Sequence, residues 1–434
     1  MSPFTTGLVG IVVMFLLFFL SMPIGFAMFL VGFLGLVYLT TMQAALGVMA
    51  MTLYRVVSDY TLTVVPLFIL MGEFATVSGL SQEVFQTADK WLRRLPGGLG
   101  LATVAGCAAF ASICGSSVAT AATLGSVSLP EMKRYNYDDK LATGTVAAGG
   151  TLGFLIPPSI GFVIYAILTE ESVGKLLMAG FFPGLLLALL WMFTVVLWVR
   201  LDPSMAPIRL GKVSWKERIW SLKNIWAMLL IFLLVMGGIY LGVFTPTEAG
   251  GVGATGLFLI AIGKRRLTLP NLFTSLKETA RISIMLFIIV AGAFVFSYFL
   301  AITQIPMVLL SFVGGLTISP YITLAIIIVF LLILGCVIDV GPMLVLTMPV
   351  LFPIILALQF DPIWFGVIAV LMMNAGLITP PVGLNVYVVA GIDRTVPMSA
   401  IFRGVLPFLV AIIVVAVIVT VFPQIALFLP GMMR

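Results

Sequence analysis

Two stretches, far apart in the chain, carry the residues best suited to chemistry. The first is Gly153-Phe-Leu-Ile-Pro157-Pro158-Ser159-Ile-Gly161-Phe-Val-Ile-Tyr165; the second is Gly376-Leu-Ile-Thr379-Pro380-Pro381-Val-Gly383-Leu-Asn385-Val-Tyr387. Both are apolar, yet each holds a Pro-Pro pair and two glycines. Proline lacks the backbone donor and clashes with the preceding turn, so each stretch is expected to be a helix broken near its middle. A helix end presents carbonyl oxygens, which suit a hard cation such as sodium; a helix start presents N–H groups, which suit a carboxylate. In lipid such backbone survives only inside protein or against a watery cavity. Matched breaks in two halves of a membrane chain point to a transport site.

Two more stretches can bring oxygens to the breaks. Residues 99–129 are apolar but rich in small residues, with Gly115-Ser116-Ser117 at their centre, and residues 320–358 hold Asp339-Val-Gly341-Pro342. Small residues allow close packing and a polar tip can turn back within the membrane, so both read as re-entrant hairpins. The candidates for binding a substrate are Ser116, Ser117, Thr120, Ser159, Asp339 and Asn385. Those for holding sodium are Ser112, Gly115, Ser116, Pro157, Gly341, Thr379 and Pro380. Helix packing is a sufficient account of any single serine or threonine; the cluster of tips and breaks points to function. A carboxylate such as Asp339 is costly in so apolar a stretch unless paired or hydrated. Binding a cation, capping the hairpin turn and taking up a proton all fit it. Glu73 and Glu248 are further intramembrane carboxylates, and Glu248 fits the first turn of a helix begun by Pro246.

Composition sets the class these residues work in. Of 434 residues 62% are hydrophobic and 9% charged, with a mean hydropathy of +1.25. Apolar segments long enough to span recur throughout, so the chain is expected to be an all-α polytopic membrane protein. The first apolar run has no basic lead and continues into another, which marks it as a retained helix. The net charge of +6 follows from basic loops, so no nucleic-acid partner is implied. With no histidine, three isolated cysteines and no phosphate loop, histidine chemistry and ATP hydrolysis by that loop are excluded.

The pattern repeats. Pro23 and Pro246, Pro130 and Pro353, Asp138 and Asp361, Gly153 and Gly376, and Pro157-Pro158 and Pro380-Pro381 are all separated by 223 residues. We divide the chain into a first repeat (1–200, broken helix about 141–169), a basic linker (201–223) and a second repeat (224–434, broken helix about 363–393). In the first repeat the basic residues flank the hairpin. In the second they lie in 264–281, read as an interfacial stretch ahead of a span at 282–303. Placing basic loops in the cytoplasm puts 19 of the 22 lysines and arginines there. The repeat is then inverted, with both termini periplasmic.

The Pro-Pro breaks, the Gly-Ser-Ser tip and Gly242-Val-Phe-Thr-Pro-Thr-Glu-Ala-Gly resemble the DctM-like large membrane subunits of tripartite ATP-independent periplasmic (TRAP) transporters, over essentially the whole chain. The resemblance implies a bacterial inner-membrane transporter driven by sodium, with sodium as coupling ion and no cofactor. It implies an organic-acid substrate, such as a C4-dicarboxylate, delivered by a periplasmic binding protein, and a separate small membrane subunit of four helices. It also implies elevator-like motion of hairpins and broken helices against a scaffold. Sodium would lie between the Ser116 tip and the Pro157-Pro158 break, and between the Gly341 tip and the Thr379-Pro380-Pro381 break. A stand-alone sodium/carboxylate symporter is the main rival, and a channel or scaffold a more distant one. No constellation for an enzyme is present.

Overall fold

The computed structural model describes residues 1–207, 213–315 and 318–433; linker residues 208–212, connector residues 316 and 317, and Arg434 lie outside the described residues. Every regular element among them is helical. The first repeat runs α1 (Pro3–Phe19), α2 (Ile24–Leu39), α3 (Met42–Ser58), α4 (Val64–Val77), α5 (Leu80–Leu92), α6 (Gly98–Cys114), α7 (Ser117–Arg134), α8 (Asp139–Thr151), α9 (Ile160–Thr169) and α10 (Val173–Leu201). The second runs α11 (Trp215–Tyr240), α12 (Pro246–Gly263), α13 (Leu269–Thr303), α14 (Ile305–Gly315), α15 (Pro320–Gly335), α16 (Val340–Ala357), α17 (Pro362–Gly376), α18 (Leu384–Ile392), α19 (Met398–Val421) and α20 (Gln424–Met432).

The 223-residue offset carries α7 onto α16 end for end, and α6, α8 and α9 onto α15, α17 and α18 to within a few residues. The same local chemistry starts the matched helices. Asp138 caps α8 by accepting from Lys140 N, and its counterpart Asp361 caps α17 by accepting from Ile363 N and Trp364 N. Packing is reciprocal as well. Helix α2 lies along α13 while α4 lies along α12, and α9 meets α16 while α18 meets α7. This is an inverted two-fold repeat with two hairpins (α6–α7 and α15–α16) and two broken helices (α8–α9 and α17–α18).

Two expectations are corrected. Residues 264–281 are not a separate interfacial stretch: α13 is one continuous helix of 35 residues. At about 1.5 Å per residue it is longer than the roughly 30 Å hydrocarbon core, so its basic first turns project beyond it. In the first repeat the matching segment bends by 56° between α3 and α4. The bend is set by Asp59, whose carboxylate accepts from Thr61 N and ends α3; the matched residue, Ile282, offers no such acceptor. Hairpin one also exceeds its expected 99–129, because α7 runs through Pro130 to Arg134.

Among the described residues five helices (α10, α11, α13, α16 and α19) are individually long and apolar enough to cross a membrane, and α3 with α4 is so as a bent pair. Helices α1–α4 and α11–α13 pack on one another; the hairpins and broken helices form the other group, with α10 and α19 packed against them. Helices α5 and α14 lie between, α5 meeting α6 and α11, and α14 meeting α16 and α13. The three cysteines are buried free thiols.

Candidate functional site

At each hairpin tip two helices end and two begin. At the first, α6 ends at Cys114 and Gly115 takes up a left-handed conformation (φ +66°), which glycine tolerates. Ser116 then caps α7 by accepting from Ala119 N. Helix α8 ends in a 3-10 turn at Leu152–Phe154, and Ser159 caps α9. The parts meet without clearance. A Cβ on Gly153 would lie 2.3 Å from Ser116 O, one on Gly115 would lie 2.7 Å from Pro158 O, and Ile160 N donates to Gly115 O at 3.4 Å. The first tip and the first break are therefore one unit.

The second unit is built the same way. A Cβ on Gly376 would lie 2.3 Å from Gly335 C, and Val382 N donates to Cys336 O at 3.2 Å. Both Pro-Pro peptide bonds are cis. The two units are joined crosswise. Ser117, in the first hairpin, bonds Asn385, in the second broken helix, and Asn385 Nδ2 also donates to Ala147 O at 3.0 Å. Gly161 of α9 faces Val340, and Gly341 faces Ile164 of α9 and Leu286 of α13.

Most of the expected side chains are committed to these joints. Ser117, Thr120, Ser159 and Asn385 are buried: Thr120 Oγ1 donates to Ser116 O, and Ser159 Oγ to Phe154 O. Ser112 is buried, its hydroxyl turned back to Ala109 O, and Thr379 donates to Ala375 O. Ser116 and Asp339 are only partly buried, and Asp339 accepts from Val340 N as the cap of α16. Pro157 is buried in the first break, whereas Pro380 is exposed in the second. Glu248 forms a capping box with Thr245. Glu73 is half-buried on α4 beside Gly72, where a Cβ would lie 2.8 Å from Cys114 O at the first tip.

Two ion pairs were not foreseen. Arg55 of α3 sits over the Phe294 ring at 5.5 Å and binds Glu170, at the end of α9, at 3.2 Å. Lys133, at the end of α7, binds Asp393, just past α18. Burial pushes the Asp393 carboxyl up, but the Lys133 ammonium and two bonds from Thr395 outweigh it and hold it below its ordinary value. Glu170 and Asp393 are separated by the 223-residue offset. That match between acidic residues ending the two broken helices was the available signal.

Comparison with known proteins places this geometry. The family model described as the DctM component of the tripartite ATP-independent periplasmic transporter matches residues 11–425. The C4-dicarboxylate TRAP transporter large permease of Pseudomonas aeruginosa is 38% identical over 384 residues, covering 88% of this chain and 89% of that one. The sialic acid large permease of Vibrio cholerae is 34% identical, covering 95% and 96%. The isethionate permease DctMQ of Oleidesulfovibrio alaskensis is 33% identical over 92% of this chain and 63% of its own length. Among solved structures, the YdaH transporter of Alcanivorax borkumensis superposes with a TM-score of 0.61 over 88% of this chain and 89% of its own, at 14% identity, a likeness of fold.

Proposed function

This chain belongs to the DctM-component family of TRAP transporters, and on that premise we propose that it is the large permease of a sodium-driven importer of an organic acid, C4-dicarboxylate-like in chemistry. It is a transporter component and not an enzyme. A periplasmic binding protein delivers the substrate, a separate small membrane subunit of four helices completes the complex, and the basic loops face the cytoplasm of a bacterial cell.

One observation carries the ion reading. Two helix C-termini converge at each tip, with Gly153 against Ser116 and Gly376 against Gly335. Helix C-termini carry partial negative charge, and converging backbone carbonyls suit a small hard cation. The adjoining N-termini of α7 and α16, capped by the partly exposed Ser116 and Asp339, offer N–H groups toward a substrate carboxylate. Binding at tips shared by both repeats allows the hairpin group to carry ion and substrate past α1–α4 and α11–α13 as an elevator.

The test is uptake of labelled succinate into proteoliposomes holding this chain and its small subunit, under an inward sodium gradient, with and without the binding protein. Uptake that needs both sodium and the binding protein supports the proposal. Uptake by this chain alone favours a stand-alone symporter. Uptake without sodium removes the ion reading, and uptake confined to another acid, such as a sialic acid or a sulfonate, removes the dicarboxylate-like substrate.

A further inference from the structure

We propose that the cavity between α5 and α7 is an anion-accepting vestibule through which the carried acid leaves, with Lys90 as the residue that favours its charge. This rests on the transport reading above and adds the route and a residue on it. The cavity measures about 550 Å³; Gln82, Gln86 and Lys90 of α5 line one wall, and Ser126 and Glu131 of α7 the other. The α5 residues recur every four positions and so share one helix face. Of the two carboxylates on the wall, Asp89 pairs with Arg93, also on the wall, and Glu131 lies 3.9 Å from Arg134, outside the cavity. Lys90 makes no ion pair among the described residues. Its ammonium is therefore a wall charge with no carboxylate partner among the described residues, open to a ligand.

The cavity and the first tip lie on one exposed side of α7. Ser116, Ala119, Thr123, Ser126 and Pro130 remain partly or fully exposed at three- to four-residue spacing. From the tip to Ser126 this stripe descends about 14 Å at 1.5 Å per residue. At the second hairpin the corresponding stretch, Val340 to Met348, is buried throughout. The exposed stripe of the first hairpin therefore runs toward the basic loops at the end of α7.

The inverted repeat supplies an internal control. Three of the cavity's lining positions, Gln86, Val127 and Glu131, map by the 223-residue offset onto Leu309, Val350 and Ile354 of a groove that α1, α13 and α15 also line. Its cavity of about 360 Å³ is lined by apolar residues and Thr347, and has nothing to offer a carboxylate. At the shared positions Gln86 and Glu131 thus stand in the first groove where Leu309 and Ile354 stand in the second, and the groove beside Lys90 is the one of the two that suits a hydrated anion.

The test uses the complex in membrane vesicles, with Ser126→Cys as a reporter; the native cysteines are buried, and the parent chain gives the background. Relative to their rates with a free thiol in solution, an anionic sulfonatoethyl methanethiosulfonate should be favoured over its cationic trimethylammonium analogue when added from the basic-loop side. Lys90→Glu should slow the anionic reagent roughly two- to five-fold at low salt and speed the cationic one, and Lys90→Arg should restore the parent ratio. A reagent ratio that Lys90→Glu leaves unmoved, or labelling only from the opposite face, overturns the proposal. Labelling needs no transport, so its outcome is separate from that of the uptake assay.

Discussion

The Ser117 hydroxyl and the Asn385 side-chain amide, 268 residues apart in sequence, bond each other twice: the hydroxyl donates to Oδ1 at 3.1 Å and accepts from Nδ2 at 2.9 Å. One member belongs to the first hairpin and the other to the second broken helix, so the pair ties the two repeats together at the proposed site. Asn385→Leu strands the Ser117 hydroxyl and Ala147 O, which should cost about 1–3 kcal/mol. Ser117→Ala should cost less. Because the side chains share partners, the double variant should lose less than the sum of the two. Thermal unfolding of the four proteins in detergent checks this; strictly additive losses would show that the residues act independently.

Much of this arrangement is legible in sequence because prolines and glycines act locally. Pro157-Pro158 and Pro380-Pro381 break helices wherever they stand, and the constant offset between them carried the architecture. What escaped depended on partners distant in the chain. Whether Asn385 faces a substrate or Ser117 is decided by how α18 meets α7, which no local pattern records. The length of α13 escaped for another reason: its basic first turns resemble the amphipathic α3, and the missing bend rests on Ile282 standing where the first repeat has Asp59. The polarity of α5 was visible, but its meaning appears only beside its apolar counterpart α14.

The closest approaches in the site are made by glycines, and their replacement should fail in matched fashion. Gly153→Ala drives a methyl into Ser116 O and Gly376→Ala into the Gly335 backbone. Neither neighbour can rotate away, so each variant should lose about 1–3 kcal/mol or more and lose transport with it. Gly237→Ala is the control, since nothing lies within 4 Å of its added methyl. It should gain up to about 1 kcal/mol from helix propensity. Unfolding temperatures and uptake of the three variants test this, and a stable Gly376→Ala chain would argue against the tight joint.

Asp339 caps α16 through Val340 N and remains partly accessible. If its charge also helps hold a coupling ion, Asp339→Asn should raise the sodium concentration for half-maximal uptake several-fold while the protein folds. Asparagine can still cap, so the cap alone would leave the sodium response unchanged, and that result would assign Asp339 to structure.

The Lys133–Asp393 pair closes α7 onto the segment after α18, and its pH dependence has a definite sign. The Asp393 carboxyl lies below its ordinary value in the folded chain, since Lys133 and Thr395 outweigh burial. A depressed carboxyl stabilises the fold above its unfolded pKa of about 3.9, and loses that contribution as pH falls through the lower folded value. The pair should therefore act at constant strength from pH 5 to 8. Asp393→Asn should lower the unfolding temperature equally across that range, and the gap from the parent should close only as both approach pH 3. A gap that instead changes between pH 6 and 8 would mean that another titrating group controls this contact.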